Sequence, residues 1–242
     1  QTPCSPGTYQ PSTGQTSCID ADAGYYVDFP ASIVQTPCSP GTYQPSTGQT
    51  SCIDASPGYY VPTAGSADQT AASPGYYVID TGAISQTPCS PGTYQPSTGQ
   101  TSCIDADGGY YVPTSAATSQ TACAAGTYQP NTGQSSCLDA DAGYYVPTSA
   151  AISQTACATG TYRPNTGQSS CIDASAGYYV DTTASPSQTP CSAGTYQPNT
   201  GQTSCIDADP GYYVANNASS SQTPCAPGTW QDQTGQTSCI DA

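Results

Sequence analysis

Large apolar side chains are nearly absent from this sequence of 242 residues. It contains no Met, one Phe and one Trp, whereas Gly occurs 24 times and Pro 23 times. Large apolar side chains supply most of the driving force for a packed interior, so the composition argues against a conventional hydrophobic core. The aromatic supply is 20 Tyr. A tyrosine ring packs while its hydroxyl group stays hydrated, which favours a thin structure with little interior.

Ionisable side chains are equally scarce. The chain has no His, Lys or Glu, a single basic residue, Arg163, and sixteen Asp, for a net charge of -15. Because no His or Lys is available as a base or nucleophile, we expect no enzymatic activity, no catalytic residue and no cofactor. The negative charge repels phosphate backbones and excludes nucleic acid as a partner. No apolar run approaches the roughly 20 residues that span a bilayer, so we expect no direct membrane insertion of this segment.

The sequence is dominated by an internal repeat of 34 residues that begins at Gln1 and restarts at Gln35. Each repeat consists of two related halves, QTPCSPGTYQPSTG and QTSCIDADAGYYV. Residues 69–85 fit as one extra second-type half, in which the cysteine has become Ala72 and three residues are missing, so they are expected to break the register once. The predicted domains are repeat 1 (1–34), repeat 2 (35–68), the cysteine-free insert (69–85), repeat 3 (86–119), repeat 4 (120–153), repeat 5 (154–187), repeat 6 (188–221) and a partial repeat 7 (222–242).

The same period also occurs in helical tetratricopeptide arrays, but the pattern within the repeat is not helical. Gly or Pro recurs every few residues, and no window places apolar side chains at helical spacing. The segments GTYQ and GYYV are short, aromatic and β-branched, which predicts strands of about 3 to 5 residues joined by tight turns. The predicted fold class is therefore a series of small disulfide-rich modules of loops and short β-strands, arranged as an elongated linear tandem-repeat rod.

The 14 cysteines follow two alternating spacings. The first gap in every repeat is constant, whereas the onward gap changes across the insert, so the constant gap predicts the bridge. The predicted pairs, taken consecutively, are Cys4–Cys18, Cys38–Cys52, Cys89–Cys103, Cys123–Cys137, Cys157–Cys171, Cys191–Cys205 and Cys225–Cys239. Closing a loop of this size contributes roughly 3 kcal/mol in the chain-entropy model. Disulfides of this kind predict an oxidising compartment, hence an extracellular or cell-surface location.

The segment CSPGTYQPSTGQTSC (4–18) resembles the C-x-x-G-x-Y-x(4)-G-x(3)-C core of the ephrin-receptor-like cysteine-rich repeats, which are related to the modules of tumour-necrosis-factor receptors. The match recurs in all seven repeats, with Trp230 in place of the tyrosine in the last. The family usually continues with a further cysteine where this chain has Ala21, so one disulfide per repeat is absent. The resemblance implies small extracellular modules joined end to end, without catalytic function and without a transferable ligand-binding residue.

Two recurring side-chain types are candidates for a binding role. Tyr9, Tyr25 and Tyr26 recur at fixed positions and predict aromatic ladders, which serve packing or, alternatively, form a carbohydrate-binding platform. The IDAD segment places Asp20 and Asp22 on one side of an extended strand. These two residues, and Asp105 and Asp107 of the segment Ile104-Asp105-Ala106-Asp107, are weak calcium candidates. Turn hydrogen bonding by Asp is the alternative, and no other metal ligand is predicted.

Sugars are the other predicted addition to the chain. The tails of the repeats are rich in Ser, Thr, Ala and Pro, a composition that suits either O-glycosylation or flexible linkers. Asn217 begins the only N-x-S/T sequon. The glycosylation candidates are Asn217, Thr13, Thr47, Thr98, Thr114 and Ser115.

Near-identical copies favour a structural role. A repeated surface can repeat its contacts with another copy, and open head-to-tail contacts produce filaments. We therefore expect an extracellular stalk or filament, acidic and glycosylated, whose partners are copies of itself. Because the chain begins without Met or a signal segment, we expect a mature product or a part of a longer chain. The alternative is an adhesin or receptor-like ectodomain that binds a protein or carbohydrate through residues that depart from the consensus, namely 69–85, Arg163 and Trp230.

Overall fold

The fold is built from very short β-hairpins. The computed structural model describes residues 2–241, so Gln1 and Ala242, the outer bounds of the first and last predicted repeats, lie outside the described residues. These described residues contain no helix, and their 28 two-residue strands form fourteen two-stranded sheets. The strands are β1 Thr8–Tyr9, β2 Ile19–Asp20, β3 Tyr25–Tyr26, β4 Thr36–Pro37, β5 Thr42–Tyr43, β6 Ile53–Asp54, β7 Tyr59–Tyr60, β8 Thr70–Ala71, β9 Tyr76–Tyr77, β10 Thr87–Pro88, β11 Thr93–Tyr94, β12 Ile104–Asp105, β13 Tyr110–Tyr111, β14 Thr121–Ala122, β15 Thr127–Tyr128, β16 Leu138–Asp139, β17 Tyr144–Tyr145, β18 Thr155–Ala156, β19 Thr161–Tyr162, β20 Ile172–Asp173, β21 Tyr178–Tyr179, β22 Thr189–Pro190, β23 Thr195–Tyr196, β24 Ile206–Asp207, β25 Tyr212–Tyr213, β26 Thr223–Pro224, β27 Thr229–Trp230 and β28 Ile240–Asp241.

Each sheet belongs to a hairpin module half as long as the sequence repeat, in which one strand pairs with the next along the chain. In module 1, Tyr9 lies opposite Ile19 in an antiparallel pair. A left-handed glycine precedes the first strand of every module and recurs at a constant interval, from Gly7 to Gly228. The modules are 4–20, 21–37, 38–54, 55–71, 72–88, 89–105, 106–122, 123–139, 140–156, 157–173, 174–190, 191–207, 208–224 and 225–241. The prediction of small disulfide-rich modules of loops and short strands is confirmed.

The segment 69–85 does not shift the modules out of step. It breaks the alternation of the two half-repeats but keeps the spacing of the modules, because β9 and β10 pair within module 5 with Tyr77 opposite Thr87. Ala72 is fully buried, as Ala21 and Ala55 are at the same position of modules 2 and 4. The segment therefore interrupts the 34-residue repeat but not the succession of modules, and Ala72 takes the place of a buried alanine rather than of a cysteine.

A tight turn opens each module. In module 1 the N–H of Thr8 donates to the carbonyl of Ser5 at 3.0 Å, and Gly7 between them has φ +88°. A positive φ at the third residue, after Pro6, is the signature of a type II turn and requires glycine or a similarly permissive residue. Pro-Gly and Ala-Gly pairs therefore mark the start of twelve hairpins, and Gly108-Gly109 and Thr159-Gly160 mark the other two.

The strands are shorter than the three to five residues that the sequence predicts. The residue after the first strand turns its backbone away from the hairpin ladder. The N–H of Gln10 donates to Ser32 of module 2, and that of Val27 donates to Gln49 of module 3, both at 3.0 Å. The ladder ends after two residues because the backbone then bonds to the following module.

The interior is narrow and consists of small side chains. The first residue, Cys or Ala, is buried in modules 1 to 13, and the residue that follows the first strand, usually Val or Gln, is buried in every module except modules 1 and 10, where Gln10 and Arg163 are half-buried. Buried Val and Cys, for example Val61 and Cys38, are the largest side chains that are fully enclosed. This narrow core agrees with the shortage of large apolar residues, and it leaves backbone bonding and disulfides to hold the modules together.

The described chain divides into two compact bodies. The first contains the chain up to Ala106 together with 112–121 and 133–135, and the second contains 107–111, 122–132 and the chain from Ser136 onward. The same hairpin module builds both bodies.

Candidate assembly surface

Successive modules contact each other through a recurring set of three backbone hydrogen bonds. The N–H groups of the opening glycine and of the residue after the first strand donate to backbone carbonyls of the next module. In return, the N–H of the left-handed loop residue of that next module donates to the carbonyl of the first residue of the preceding module. Between modules 1 and 2 the bonds are Gly7 N–H to Val27 at 2.7 Å, Gln10 N–H to Ser32 at 3.0 Å and Ala31 N–H to Cys4 at 2.8 Å. Because main-chain groups make all three bonds, any module of this type presents the same docking pattern to its neighbour.

The opening glycines also permit a close backbone approach. A Cβ added to Gly7 would lie 2.3 Å from the carbonyl oxygen of Gly48, which belongs to module 3. Equivalent glycines meet the corresponding carbonyl at 2.1 to 2.4 Å, whereas Gly211 and Gly228 have no heavy atom within 4 Å of that point. A side chain would therefore force modules apart at every opening glycine except these two, and the left-handed backbone favours glycine at all fourteen.

Seven disulfides each close one module. We call modules 1, 3, 6, 8, 10, 12 and 14 the disulfide modules. Each links its first residue to the residue just before its second strand, and no free cysteine is present among residues 2–241. The pairs are Cys4–Cys18, Cys38–Cys52, Cys89–Cys103, Cys123–Cys137, Cys157–Cys171, Cys191–Cys205 and Cys225–Cys239, the same pairs that the constant spacing predicts.

The remaining modules use glutamine where the disulfide modules have their second cysteine. In module 2 the Oε1 of Gln35 accepts the N–H of Asp22, and its Nε2 donates to the Asp22 carboxylate, both at 2.7 Å. The first of these bonds recurs in modules 4, 5, 9, 11 and 13. We call modules 2, 4, 5, 7, 9, 11 and 13 the glutamine modules. Their clamp holds the same two ends of the hairpin that the disulfide holds elsewhere.

A second glutamine organises the loop of the disulfide modules. Gln44 is buried, its Nε2 donates to Ser51 at 2.8 Å, and its Oε1 accepts the N–H of Ser46 at 3.1 Å. Arg163 replaces this glutamine in module 10, where it bonds Gln168 through Nη2 and leaves its buried Nε without a partner among the described residues. The only basic residue of the chain thus leaves one buried donor unsatisfied within residues 2–241, which makes Arg163 a local defect.

The calcium candidates Asp20 and Asp22 lie in two different modules and have different neighbours. Asp20 ends β2, and its carboxylate lies beside Gly48. Asp22 opens the next turn and bonds Gln35, in agreement with the alternative of turn hydrogen bonding. The expected common strand face is not formed, because β2 ends at Asp20. Asp105 occupies the position of Asp20 in module 6 and lies beside Gly133, and Asp107 is exposed. Across residues 2–241, no three metal-ligating side chains form a group.

Tyrosine and isoleucine share the outward face of the disulfide modules. Tyr9 is half-buried, and its strand partner Ile19 is 45 % exposed. Tyr25 and Tyr26 are half-buried in module 2, where the hydroxyl of Tyr25 reaches to 3.4 Å from the point that a Cβ on Gly65 would occupy. The exposed aliphatic residues that recur opposite tyrosine or tryptophan are Ile19, Ile53, Ile104, Leu138, Ile172, Ile206 and Ile240.

All six glycosylation candidates are exposed. The hydroxyl groups of Thr13, Thr47, Thr98, Thr114 and Ser115 make no hydrogen bond within residues 2–241 and lie in the loops between strands. Asn217 differs, because its Oδ1 accepts the N–H of Ala193 at 2.8 Å. The candidate hydroxyls are therefore accessible, and the one sequon asparagine has a structural contact as well.

Two depressions in the described part of the chain are open to solvent. One surrounds the Cys4–Cys18 bridge, and the other lies around 213–223 and includes Tyr213 in its lining. Trp230, the other departure from the consensus, lies on β27 and is 45 % exposed. The described part of the chain contains no helix that could serve as a membrane span.

The sequence did not lead to three features, namely the hydrogen bonds of Gln35, those of Gln44, and the exposed aliphatic residues opposite tyrosine. Each had a signal in the sequence, because Gln35 recurs in all seven glutamine modules, whereas Gln44 and Ile19 each recur in six of the seven disulfide modules. Comparison with known proteins adds no identification, since no protein-family model and no curated protein matches the chain.

Proposed function

We propose that the chain is an extracellular, non-catalytic structural protein that forms a stalk or filament whose length is set by the number of modules. The observation that carries this proposal is the identical backbone docking pattern between successive modules, for example between modules 1 and 2 and between modules 12 and 13. Proteins in which each unit contacts mainly its neighbours gain length and stability by adding units. Neither of the two open depressions is lined by an Asp or by Arg163, so they give no support to a catalytic alternative.

The extracellular location is supported by the seven disulfides, because disulfides form and persist in oxidising compartments. Each closes a small loop around a buried cysteine such as Cys38, where little apolar surface is available for stability. This is the usual requirement of small secreted modules. We further propose kinship with the ephrin-receptor-like repeats, supported by the C-x-x-G-x-Y pattern of the disulfide modules.

Copies of the chain are the proposed partners in a filament. The net charge of -15 opposes close contact between copies at low ionic strength. Screening shortens the range of this repulsion to about 8 Å at physiological salt. Self-association should therefore strengthen as salt increases, and the exposed Ser and Thr of the loops leave room for attached sugars.

Electron microscopy and small-angle scattering of the oxidised chain, without reductant, test the proposal. A compact globule of this length has a radius of gyration of about 18 Å. We expect a clearly larger value and thin particles, with longer fibres at higher salt. A compact monomeric particle at every salt concentration would overturn the stalk and filament proposal. Separate thin particles that never lengthen would retain the stalk and exclude the filament.

A further inference from the structure

One loop residue combines a sequon with a fixed side-chain orientation. Asn217-Ala218-Ser219 is the only Asn-x-Ser/Thr sequence with x other than Pro among the five Asn of the chain. Asn131, Asn165 and Asn199 each precede Thr-Gly and do not form the motif. Asn217 is exposed in the loop of module 13, between β25 and β26.

The carboxamide of Asn217 is held by its oxygen alone. The donor is the backbone N–H of Ala193, so the accepting atom must be Oδ1, at 2.8 Å. The Nδ2 group makes no hydrogen bond within residues 2–241. Oδ1 and Nδ2 are attached to the same Cγ and point in divergent directions. Binding of Oδ1 to the backbone therefore directs Nδ2 away from module 12.

The position of Asn217 explains why an asparagine is useful there. The contacted N–H belongs to the residue just before the opening glycine of module 12. The corresponding residues of modules 1, 3 and 6 are prolines, which have no N–H to satisfy: Pro6, Pro40 and Pro91. In module 12, Ala193 leaves a donor free, and Asn217 accepts from it. A group attached to Nδ2 would not disturb this bond.

Ser219 completes the sequon, and its hydroxyl group makes a hydrogen bond within the loop. Its hydroxyl donates to the carbonyl of Asn216 at 2.7 Å, as the hydroxyl of Ser32 does to Phe29 in module 2. This bond closes the loop in which Ala218 adopts a left-handed φ of +58°. The loop is thus structurally defined, with Asn217 exposed and Ala218 and Ser219 half-buried.

We propose that Asn217 carries an N-linked oligosaccharide, which would be a defined modification site on module 13. The inference rests on the proposed function, because the sugar is added on the route to the cell exterior. In the transfer, Nδ2 forms a bond to C1 of the sugar, the bond from C1 to the phosphate oxygen of a polyprenyl-pyrophosphate carrier breaks, and Nδ2 loses one proton. The carrier leaves as the pyrophosphate, with the bonding electron pair.

The test is expression of the full chain through the secretory pathway of a eukaryotic cell that performs N-glycosylation. The peptide that contains Asn217 is analysed by mass spectrometry before and after treatment with a peptide-N-glycosidase, which leaves Asp at an occupied site. Both the medium and the cell lysate are analysed, so the result does not depend on efficient secretion. We expect an occupied Asn217 in the unmodified chain.

Four variants separate the sequon from the local fold. Ser219→Thr keeps the hydroxyl and should retain the glycan, whereas Ser219→Ala and Asn217→Gln should abolish it. Asn199→Gln, at an asparagine outside any sequon, is the matched control and should leave the glycan in place. An unmodified Asn217 in chains that have formed all seven disulfides would overturn the inference.

The proposed function fails by a different measurement. Compact monomeric particles with an occupied Asn217 would remove the stalk or filament and leave the modification site standing. Thin particles with an unmodified Asn217 would support the stalk or filament and remove the modification site.

Discussion

The opening glycine of a module is the position at which a single methyl group should have the largest effect. Gly194 of module 12 and Gly228 of module 14 have nearly the same left-handed backbone, with φ of +90° and +88°. A Cβ on Gly194 would lie 2.2 Å from the carbonyl oxygen of Gly235, whereas a Cβ on Gly228 would meet no heavy atom within 4 Å. Replacing each by alanine therefore separates the cost of the backbone conformation from the cost of the clash.

The conformational cost applies to both variants. A left-handed backbone costs a residue with a Cβ about 1–2 kcal/mol. Gly194→Ala also requires a displacement of about 1 Å to reach van der Waals contact. That displacement lengthens the 2.9 Å bond from the N–H of Gly235 to Ala208 beyond hydrogen-bonding range. Loss of a buried bond adds about 1–3 kcal/mol, so we expect Gly194→Ala to destabilise by about 2–5 kcal/mol and Gly228→Ala by about 1–2 kcal/mol.

Guanidinium unfolding followed by tryptophan fluorescence measures this difference. Trp230 is the only tryptophan and lies in module 14, the module that contains both Gly228 and the carbonyl of Gly235. Its emission therefore reports the part of the chain that the clash affects. The change in midpoint, multiplied by the denaturant slope, gives the loss of stability for each variant with the disulfides intact.

Gly235→Ala is the internal control. Gly235 is also left-handed, with φ +68°, but a Cβ there would approach only the side chain of Asp207 at 3.6 Å, an ordinary contact. Alanine occupies the equivalent position in Ala184 and Ala218. We expect a loss of about 1–2 kcal/mol, as for Gly228→Ala. Equal losses for Gly194→Ala and Gly228→Ala would refute the argument that backbone approach between modules requires glycine.

The remaining predictions concern the clamps and one strained alanine. Replacing Ala72 and Gln86 together by Cys should form an eighth disulfide and raise stability by about 2–3 kcal/mol. Non-reducing peptide mass spectrometry detects the bridge, the Ala72→Cys single variant is the control, and free thiols that persist under oxidation would contradict it. Arg163→Gln should raise the thermal midpoint, because it restores two hydrogen bonds of about 1 kcal/mol each. Gln197→Arg should lower the midpoint for the same reason. An unchanged midpoint in both variants would show that Arg163 is not a defect. Ala150→Gly should add about 1–2 kcal/mol to the unfolding free energy, the reverse of Gly235→Ala, because Ala150 has a φ of +56°. A loss in denaturant unfolding would mean that its methyl group is needed for packing.

The disulfides and the class of fold could be predicted from sequence because their determinants are local. A gap that stays constant while its neighbour changes identifies the chain segment that a bridge closes. Gly and Pro at intervals of a few residues exclude helices and mark turns, as the Pro6-Gly7 turn of module 1 shows. These features need no knowledge of how one module meets the next.

The true period and the strand lengths could not be predicted in the same way. Cysteines mark only alternate modules between Cys89 and Cys239, so they indicate a repeat of two unequal halves, whereas the opening glycines recur once in every module. The strands end where Gln10 and Val27 bond to the following module, and that bond is set by tertiary contact. The spacing of the glycines alone contains the period of the modules. The acceptors of the Gln10 and Val27 N–H groups, however, lie more than a full module further along the chain, so the sequence near the strands carries no pattern that predicts where they end.

The disulfides cannot be what determines the shape of a module. Module 5 has no disulfide, yet the N–H of its opening residue Gly75 bonds to Gln95 of module 6 at 2.7 Å, as Gly7 of module 1 bonds to Val27 of module 2. All modules share two left-handed positions, the opening glycine before the first strand and one residue in the loop between the strands. The backbone N–H groups at these positions form hydrogen bonds to neighbouring modules. A bridge that leaves the folded geometry unchanged acts mainly by restricting the unfolded chain. The left-handed positions therefore specify the fold, and the disulfides make it stable enough to persist with so small a core.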